Sequence, residues 1–355
     1  MLLLLVTLCK TAHSTNKDSP CPWPALVPPS PTGYCNCSKA SGLVCTASVA
    51  GDTAPPPLLP LGHPPGPGLR VLQSLNSSVF AGSKVQHMLY LPPTWTSPHP
   101  NQEATRLMPM VVEFSGNGIL PQDGANWTVN GWGLTAGQGF IWLQLPFVSA
   151  LRGNGTCNQR NWFGCDPAAC DLYSSNSNRI CSENKTADSH YNPEPTVRYA
   201  LLAVRMVLER YGGDPSRVLL TGHSRGALAV NFIGLHNDEI ASLWAAFAPT
   251  SHYDGVKRWA YPESDNISAL ARLRRVGQRP VFIVAECDLA TRYAKHYLRG
   301  TGVNLSNFHI EGTGFADHNP FWSLRESPTG ARAAMRAWVR RVMVGGVAHA
   351  QSTDA

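Results

Sequence analysis

The stretch Arg217–Leu235, RVLLTGHSRGALAVNFIGL, constrains the fold more than any other part of the chain. Val218–Thr221 is a short apolar run of the kind that forms a buried strand, and Ala227–Leu235 reads as a helix. Between them stands Gly222-His223-Ser224-Arg225-Gly226. A strand that passes into a helix through G-x-S-x-G must turn tightly enough to throw the serine hydroxyl above the sheet edge. Glycine at both flanks removes the Cβ atoms that would collide with the adjoining strand and helix. Ser224 is therefore the expected nucleophile.

A serine hydroxyl is a poor nucleophile at neutral pH. It needs a base within hydrogen-bond reach, itself oriented by a carboxylate. In sheets of this type the partners follow in the order serine, acid, histidine. Asp288 stands just past the apolar run Val281–Ala285, where a carboxylate would emerge at the sheet's carboxyl end, and is the expected acid. Glu286 is the nearest rival, judged too close to the strand end to reach over the edge. Asp254 and Asp265 follow the previous strand and rank with it. His318, in the loop Gly314–Asn319 after the last strand, is the expected base. His309 reads as a core histidine within a strand, and His223 as an elbow residue pointing away from the hydroxyl but shaping the pocket. His236, His252 and His296 have no strand-end setting. For the oxyanion, the residue after the nucleophile, Arg225, supplies one backbone N–H. The loop Ser115-Gly116-Asn117-Gly118 supplies the other, from Asn117 or Gly118.

Along the chain, Val85–Leu91, Pro109–Phe114, Phe140–Leu145, Leu243–Ala248, Val281–Ala285 and Asn307–Ile310 read as further strands. Continuous apolar strands separated by helical segments predict an α/β fold, a mostly parallel sheet covered by helices on both faces. Glu194–Tyr211 is a helix with Val197, Leu201, Val204, Val207 and Leu208 on one stripe, stopped by Gly212-Gly213. Ser327–Met343 is the closing helix, its stripe of Met335, Trp338, Val339 and Val342 packing on the sheet and its arginines (Arg332, Arg336, Arg340) away from it. Residues 71–345 form this domain, followed by a short tail, 346–355. Residues 151–192 are a polar insertion near the sheet's carboxyl edge, read as an active-site rim. Trp162 and Phe163 in it, with Trp127 and Trp132, are candidate aromatic walls for a substrate.

The N-terminal part has a different composition. Residues 1–14 begin with a Leu-rich run and end in Ala12-His13-Ser14, the small-residue pattern of a cleaved signal peptide. Residues 15–46 form a cysteine-containing module, and 47–70 a proline-rich extended linker. Ten cysteines include two groups of four: Cys21, Cys35, Cys37 and Cys45, then Cys157, Cys165, Cys170 and Cys181. In an oxidising compartment each group most simply makes two disulfides, with connectivity open and Cys287 left over; the spacing suits zinc poorly. N-x-S/T sequons stand at Asn36, Asn76, Asn126, Asn154, Asn184, Asn266 and Asn304. Together these predict a secreted, disulfide-bonded glycoprotein. Charged residues make up 15% and the net charge is +6, without a basic stretch interleaved with aromatics, so nucleic acid is not an expected partner. No later run approaches the roughly 18 apolar residues of a membrane span.

The elbow, with Asp214–Ser224 before it, Leu91-Pro92-Pro93 and the Val281–Asp288 strand-to-acid pattern, resembles the α/β-hydrolase superfamily. Within it the chain is similar to the secreted feruloyl esterase, acetylxylan esterase and polyhydroxybutyrate depolymerase group. The resemblance covers roughly Val71–Met343. It implies a serine esterase without metal or cofactor, acting on feruloyl, acetyl or hydroxyacyl esters, including polymeric or polysaccharide-linked ones. The chain departs from the pattern at Ser115-Gly116, where His-Gly is usual, and at Ala227, where glycine is common. G-H-S-R-G also looks like the chlorophyllase elbow, so a lipid or pigment ester is an alternative substrate. A prolyl-oligopeptidase-like serine peptidase shares the order of the triad but normally carries a large propeller, and a catalytically silent binding protein of this fold would normally have lost a triad member.

Overall fold

The computed structural model describes residues 44, 51–52, 54–98, 107–116, 129–149, 157–159, 191–259, 261–286 and 288–345. Its strands are β1 (Leu58–Leu59), β2 (Arg70–Gln73), β3 (His87–Tyr90), β4 (Met108–Phe114), β5 (Ile141–Leu145), β6 (Phe147–Ser149), β7 (Cys157–Gln159), β8 (Gly213–His223), β9 (Ala246–Thr250), β10 (Val281–Ala285) and β11 (Phe308–Gly312). The helices are α1 (Asn130–Thr135), α2 (Glu194–Tyr211), α3 (Arg225–Phe232), α4 (Asp238–Ala241), α5 (Asn266–Arg274), α6 (Asp288–Thr301) and α7 (Ala331–Met343).

Nine strands form one sheet in the order β1-β2-β3-β5-β4-β8-β9-β10-β11, while β6 and β7 pair separately at the start of the long insertion. Only β3 runs against its neighbours β2 and β5; the six strands from β5 to β11 across the sheet are parallel. This is the mostly parallel sheet of an α/β fold that the sequence predicts. Sheet order reverses at β4, which has β5 on one side and β8 on the other. The crevice at the carboxyl ends of β4 and β8 is the place where such sheets bind ligands.

Side chains explain why the sheet is covered twice. Along β4, Met110, Val112 and Phe114 enter one apolar cluster and Val111 the other. In β8 Val218 and Leu220 oppose Leu219, and in β10 Val281 and Ile283 oppose Phe282 and Val284. A period of two with both phases apolar leaves neither face fit for water, so helices must cover both. Helix α2 covers the first face with Val197, Leu201, Val204 and Val207 and ends at Gly212 with φ 70°. Helix α7 covers the second, where Trp338 meets Phe282 edge to face at 5.4 Å. The expected stripe of α7 packs as read, but Arg332 is not on an open face. It is buried and paired with Asp52 and Glu326.

The stretch read as a linker also touches the sheet. Leu58–Leu59 lies parallel to Arg70–Val71 as an edge strand. No helix among the described residues is long and apolar enough to cross a membrane.

Trp338→Ala empties the centre of the α7 face, so it is expected to lower the unfolding free energy by about 3–5 kcal/mol. Urea unfolding followed by far-UV circular dichroism measures this; a loss under about 1 kcal/mol would mean that α7 does not hold that face.

Candidate active site

Ser224 sits at the turn from β8 into α3 with φ 58° and ψ −120°. Such backbone is costly for a residue with a Cβ and persists only where the surroundings enforce it. They do so through close approach. A Cβ on Gly222 would lie 2.4 Å from the backbone of Gly226, and one on Gly226 would lie 2.2 Å from the carbonyl oxygen of Phe114. Both flanking glycines are therefore required by the packing of β4, β8 and α3. The Ser224 N–H donates to the carbonyl of Thr250 at 3.1 Å, tying the turn to the end of β9.

The Ser224 hydroxyl lies 2.8 Å from Nε2 of His318, and Nδ1 of His318 lies 2.7 Å from Oε1 of Glu286. His318 is thus brought to Ser224 as the sequence predicts. The carboxylate on the imidazole is Glu286, in place of the expected Asp288. Glu286 is the first residue after β10 and its side chain is only 10% exposed. Its main chain is held by the Thr313 hydroxyl, which donates to the Glu286 carbonyl at 2.8 Å. The loop from Thr313 to His318 therefore comes back over β10, and the acid has no edge to climb. Asp288 is instead the first residue of α6, and its side chain lies outside the described residues. The other acids are engaged elsewhere. Asp254 pairs with Arg272 at 2.8 Å, and Asp265 accepts from the N–H groups of Ile267 and Ser268 at the start of α5.

Burial alone would raise the Glu286 carboxyl, but the hydrogen bond and charge of His318, aided by His252 and His223, hold it at about 2. It is an anion at any pH where the imidazole can act as a base. Two more histidines flank His318, with ring centroids 4.8 Å away for His223 and 5.1 Å away for His252. Burial drives them down to about 3 and about 4, so both are neutral at physiological pH. His223, and His252, which had no expected setting, both pack against the His318 ring. Ser251, at φ 87°, places its hydroxyl 3.0 Å from Nδ1 of His318 as a second partner. His309 is exposed beside Glu311 at 2.8 Å, which corrects its reading as a core residue. His236 pairs with Glu194.

Behind the elbow lies a polar support that sequence reasoning missed. Glu113, wholly buried at the end of β4, accepts from the N–H groups of Asn130 and Gly131 and from the Trp142 indole, at 2.9–3.1 Å. Burial pushes it up to about 7 while those three donors pull the other way. Asn130 in turn donates its side-chain amide to the Thr250 hydroxyl at 3.0 Å. The only signal in the sequence is a glutamate inside an otherwise apolar strand.

Arg225 is the first residue of α3, and its guanidinium carbon lies 4.4 Å from the centre of the Trp259 ring. Asn117, Gly118, Trp127, Trp162 and Phe163 lie outside the described residues, as do Cys21, Cys35, Cys37, Cys45, Cys165, Cys170 and Cys181 and the side chain of Cys157. Among the sequons, Asn76 and Asn304 are exposed and Asn266 is half-buried at the start of α5; Asn36, Asn126, Asn154 and Asn184 are not described. Among the described residues no group of three or more His, Cys, Asp or Glu is arranged to hold a metal ion.

No family model and no curated protein matches the chain. Solved structures do. A thermostable esterase is 16% identical at a TM-score of 0.41, over 72% of this chain. An S-formylglutathione hydrolase from Agrobacterium tumefaciens is 13% identical at 0.46, over 77% of this chain and 95% of its own. An arylesterase is 12% identical at 0.45, over 79% and 87% respectively. The chain spans only 58% of the thermostable esterase.

The depressed carboxyl makes a stability prediction. With a folded pKa of about 2 against the usual 4.5, Glu286 contributes stability that is complete above about 4.5 and disappears as pH falls toward 2. Acid unfolding of the wild type should be steeper over that window than that of Glu286→Gln. Parallel slopes would contradict the ion pair.

Proposed function

We propose that the chain is a serine carboxylic ester hydrolase whose triad is Ser224, His318 and Glu286. One observation carries this reading, namely the unbroken line of contacts from the Ser224 hydroxyl through His318 to Glu286 on a strained strand-to-helix turn. His318 is half-exposed, so a substrate can reach the nucleophile from solvent.

In this mechanism Nε2 of His318 takes the hydroxyl proton as Ser224 Oγ attacks the ester carbonyl. The imidazolium so formed is stabilised by the Glu286 carboxylate 2.7 Å away on its other edge. The oxyanion of the tetrahedral intermediate is met by the Arg225 N–H at the start of α3, with the second donor proposed from Asn117 or Gly118. His318 returns the proton to the leaving alcohol, and water repeats the cycle on the acyl-enzyme. No metal or cofactor has a role in these steps.

The substrate class, feruloyl, acetyl or hydroxyacyl esters, is inferred from the sequence resemblance. Secretion as a disulfide-bonded glycoprotein is inferred from the leader, the cysteine groups and the sequons.

A fluorophosphonate probe should label Ser224 in the folded protein and leave Ser224→Ala unlabelled; a folded wild type that stays unlabelled would overturn the reading. Ester turnover should exceed peptide turnover across a substrate panel. The acid assignment has its own test. Glu286→Gln should lose roughly 10³–10⁴ in kcat, while Asp288→Asn stays within about a factor of three. The reverse pattern would restore Asp288 as the acid.

A further inference from the structure

Val44, Gly51 and Asp52 hold the loop that carries His318 on both of its flanks. Val44 pairs in parallel with Phe315, and the Ala316 N–H donates to the Val44 carbonyl at 2.8 Å. Seven residues later the contact recurs on the far side of the loop. Gly51 pairs with Arg325, and the Asp52 N–H donates to the Leu324 carbonyl at 2.7 Å. His318 lies between these two anchors.

Side chains lock the second anchor. The Asp52 carboxylate meets Arg332 at 2.9 Å and Arg336 at 2.5 Å. Arg336 donates onward to the carbonyl of Gly133 in α1 at 2.6 Å and faces the Ser323 carbonyl at 3.4 Å. One carboxylate therefore joins α7, α1 and the end of the histidine loop. The two arginine side chains are 10% and 16% exposed, so the charges are partly withdrawn from water and removing their partner is costly. At the first anchor Val44 packs on the apolar cluster that contains Phe315 and Trp322, residues on either side of His318.

We propose that Val44 and Gly51–Asp52 act together as a strap that positions His318, and that Asp52 is the principal positioning residue. A loop held at one end can swing; one held on both flanks cannot. The imidazole must stay within hydrogen-bond reach of two partners at once, and a displacement near 1 Å is enough to lose much of a rate. In its catalytic consequence this rests on the reading of His318 as the general base. It also gives Val44 and Asp52 a task at the site, beyond that of a module or a linker.

The test uses the full chain and two readouts. The first is the downfield proton signal of the His318 N–H shared with Glu286, assigned by its absence from His318→Ala. The second is kcat and KM on p-nitrophenyl acetate. Asp52→Ala should broaden or abolish the signal and lower kcat about ten-fold to a hundred-fold at nearly constant KM. Asp52→Glu should recover both, and thermal melting should show both variants folded. Should Asp52→Ala not fold, Val44→Ser carries the same expectation at the other anchor. A folded variant that keeps the signal and the wild-type kcat overturns the proposal. If the wild type turns over no ester, the hydrolase reading falls, and the dependence of the N–H signal on Asp52 still decides the strap.

Discussion

An imidazole serves a neighbouring hydroxyl best as a base when a second group holds its other edge, fixing its tautomer and orientation. That requirement organises this molecule. Ser224 follows β8 and Glu286 follows β10, with β9 between them, so the two ends to be joined are about two strand spacings, or ~10 Å, apart. The contacts of 2.8 Å and 2.7 Å on either side of the His318 ring span most of that gap. His318 itself comes from beyond β11 and must be carried back across β10. The parallel sheet earns its importance by fixing where the two ends stand. The turn at Ser224 and the loop from Thr313 to His318 then bring the chemistry to one point.

Precision at that point depends on polar groups buried behind it. Thr250, at the end of β9, accepts the Ser224 N–H with its carbonyl, and its hydroxyl donates to the Gly222 carbonyl at 3.0 Å. The same hydroxyl accepts from Asn130, whose backbone is anchored by Glu113. A chain of hydrogen bonds thus runs from the core of β4 through α1 and β9 to the nucleophile turn. Such groups would be expensive to bury unpaired, and paired they leave the turn one arrangement.

Much of this was legible in the sequence, and the exceptions have physical causes. Helix α2 matches its expected span of Glu194–Tyr211, because its apolar stripe and terminal glycine are local signals. The elbow was legible because glycine on both sides of a serine has a steric meaning that does not depend on distant residues. His318 followed from topological order alone. Glu286 was passed over because its reach was judged from its own strand, whereas its partner's loop is pinned to it by Thr313. Asn130, Thr250 and Ser251 carry no sequence mark, and Glu113 only that of a charge in an apolar strand, since their roles exist only once four strand ends lie side by side. Val44 and Asp52 lay in stretches whose proline and cysteine content suggested a module and a linker, and nothing local shows that they meet residues far along the chain.

The electrostatics of the site follow from which charges are admitted to it. An imidazolium forming at His318 is favoured by the anion of Glu286 and would be opposed by any cation at ring-stacking distance. His223 and His252 stand at that distance on the ring, yet burial keeps both neutral, so they confine it without repelling it. Arg225 follows the nucleophile directly, but its guanidinium is drawn over the face of Trp259, with Lys257 at 4.6 Å from the same ring. The aromatic face thus holds two positive charges beside the site. The imidazole of His318 is the direct ionic partner of the Glu286 carboxylate among the described residues, so in the proposed mechanism the proton that leaves Ser224 has a favourable place to rest.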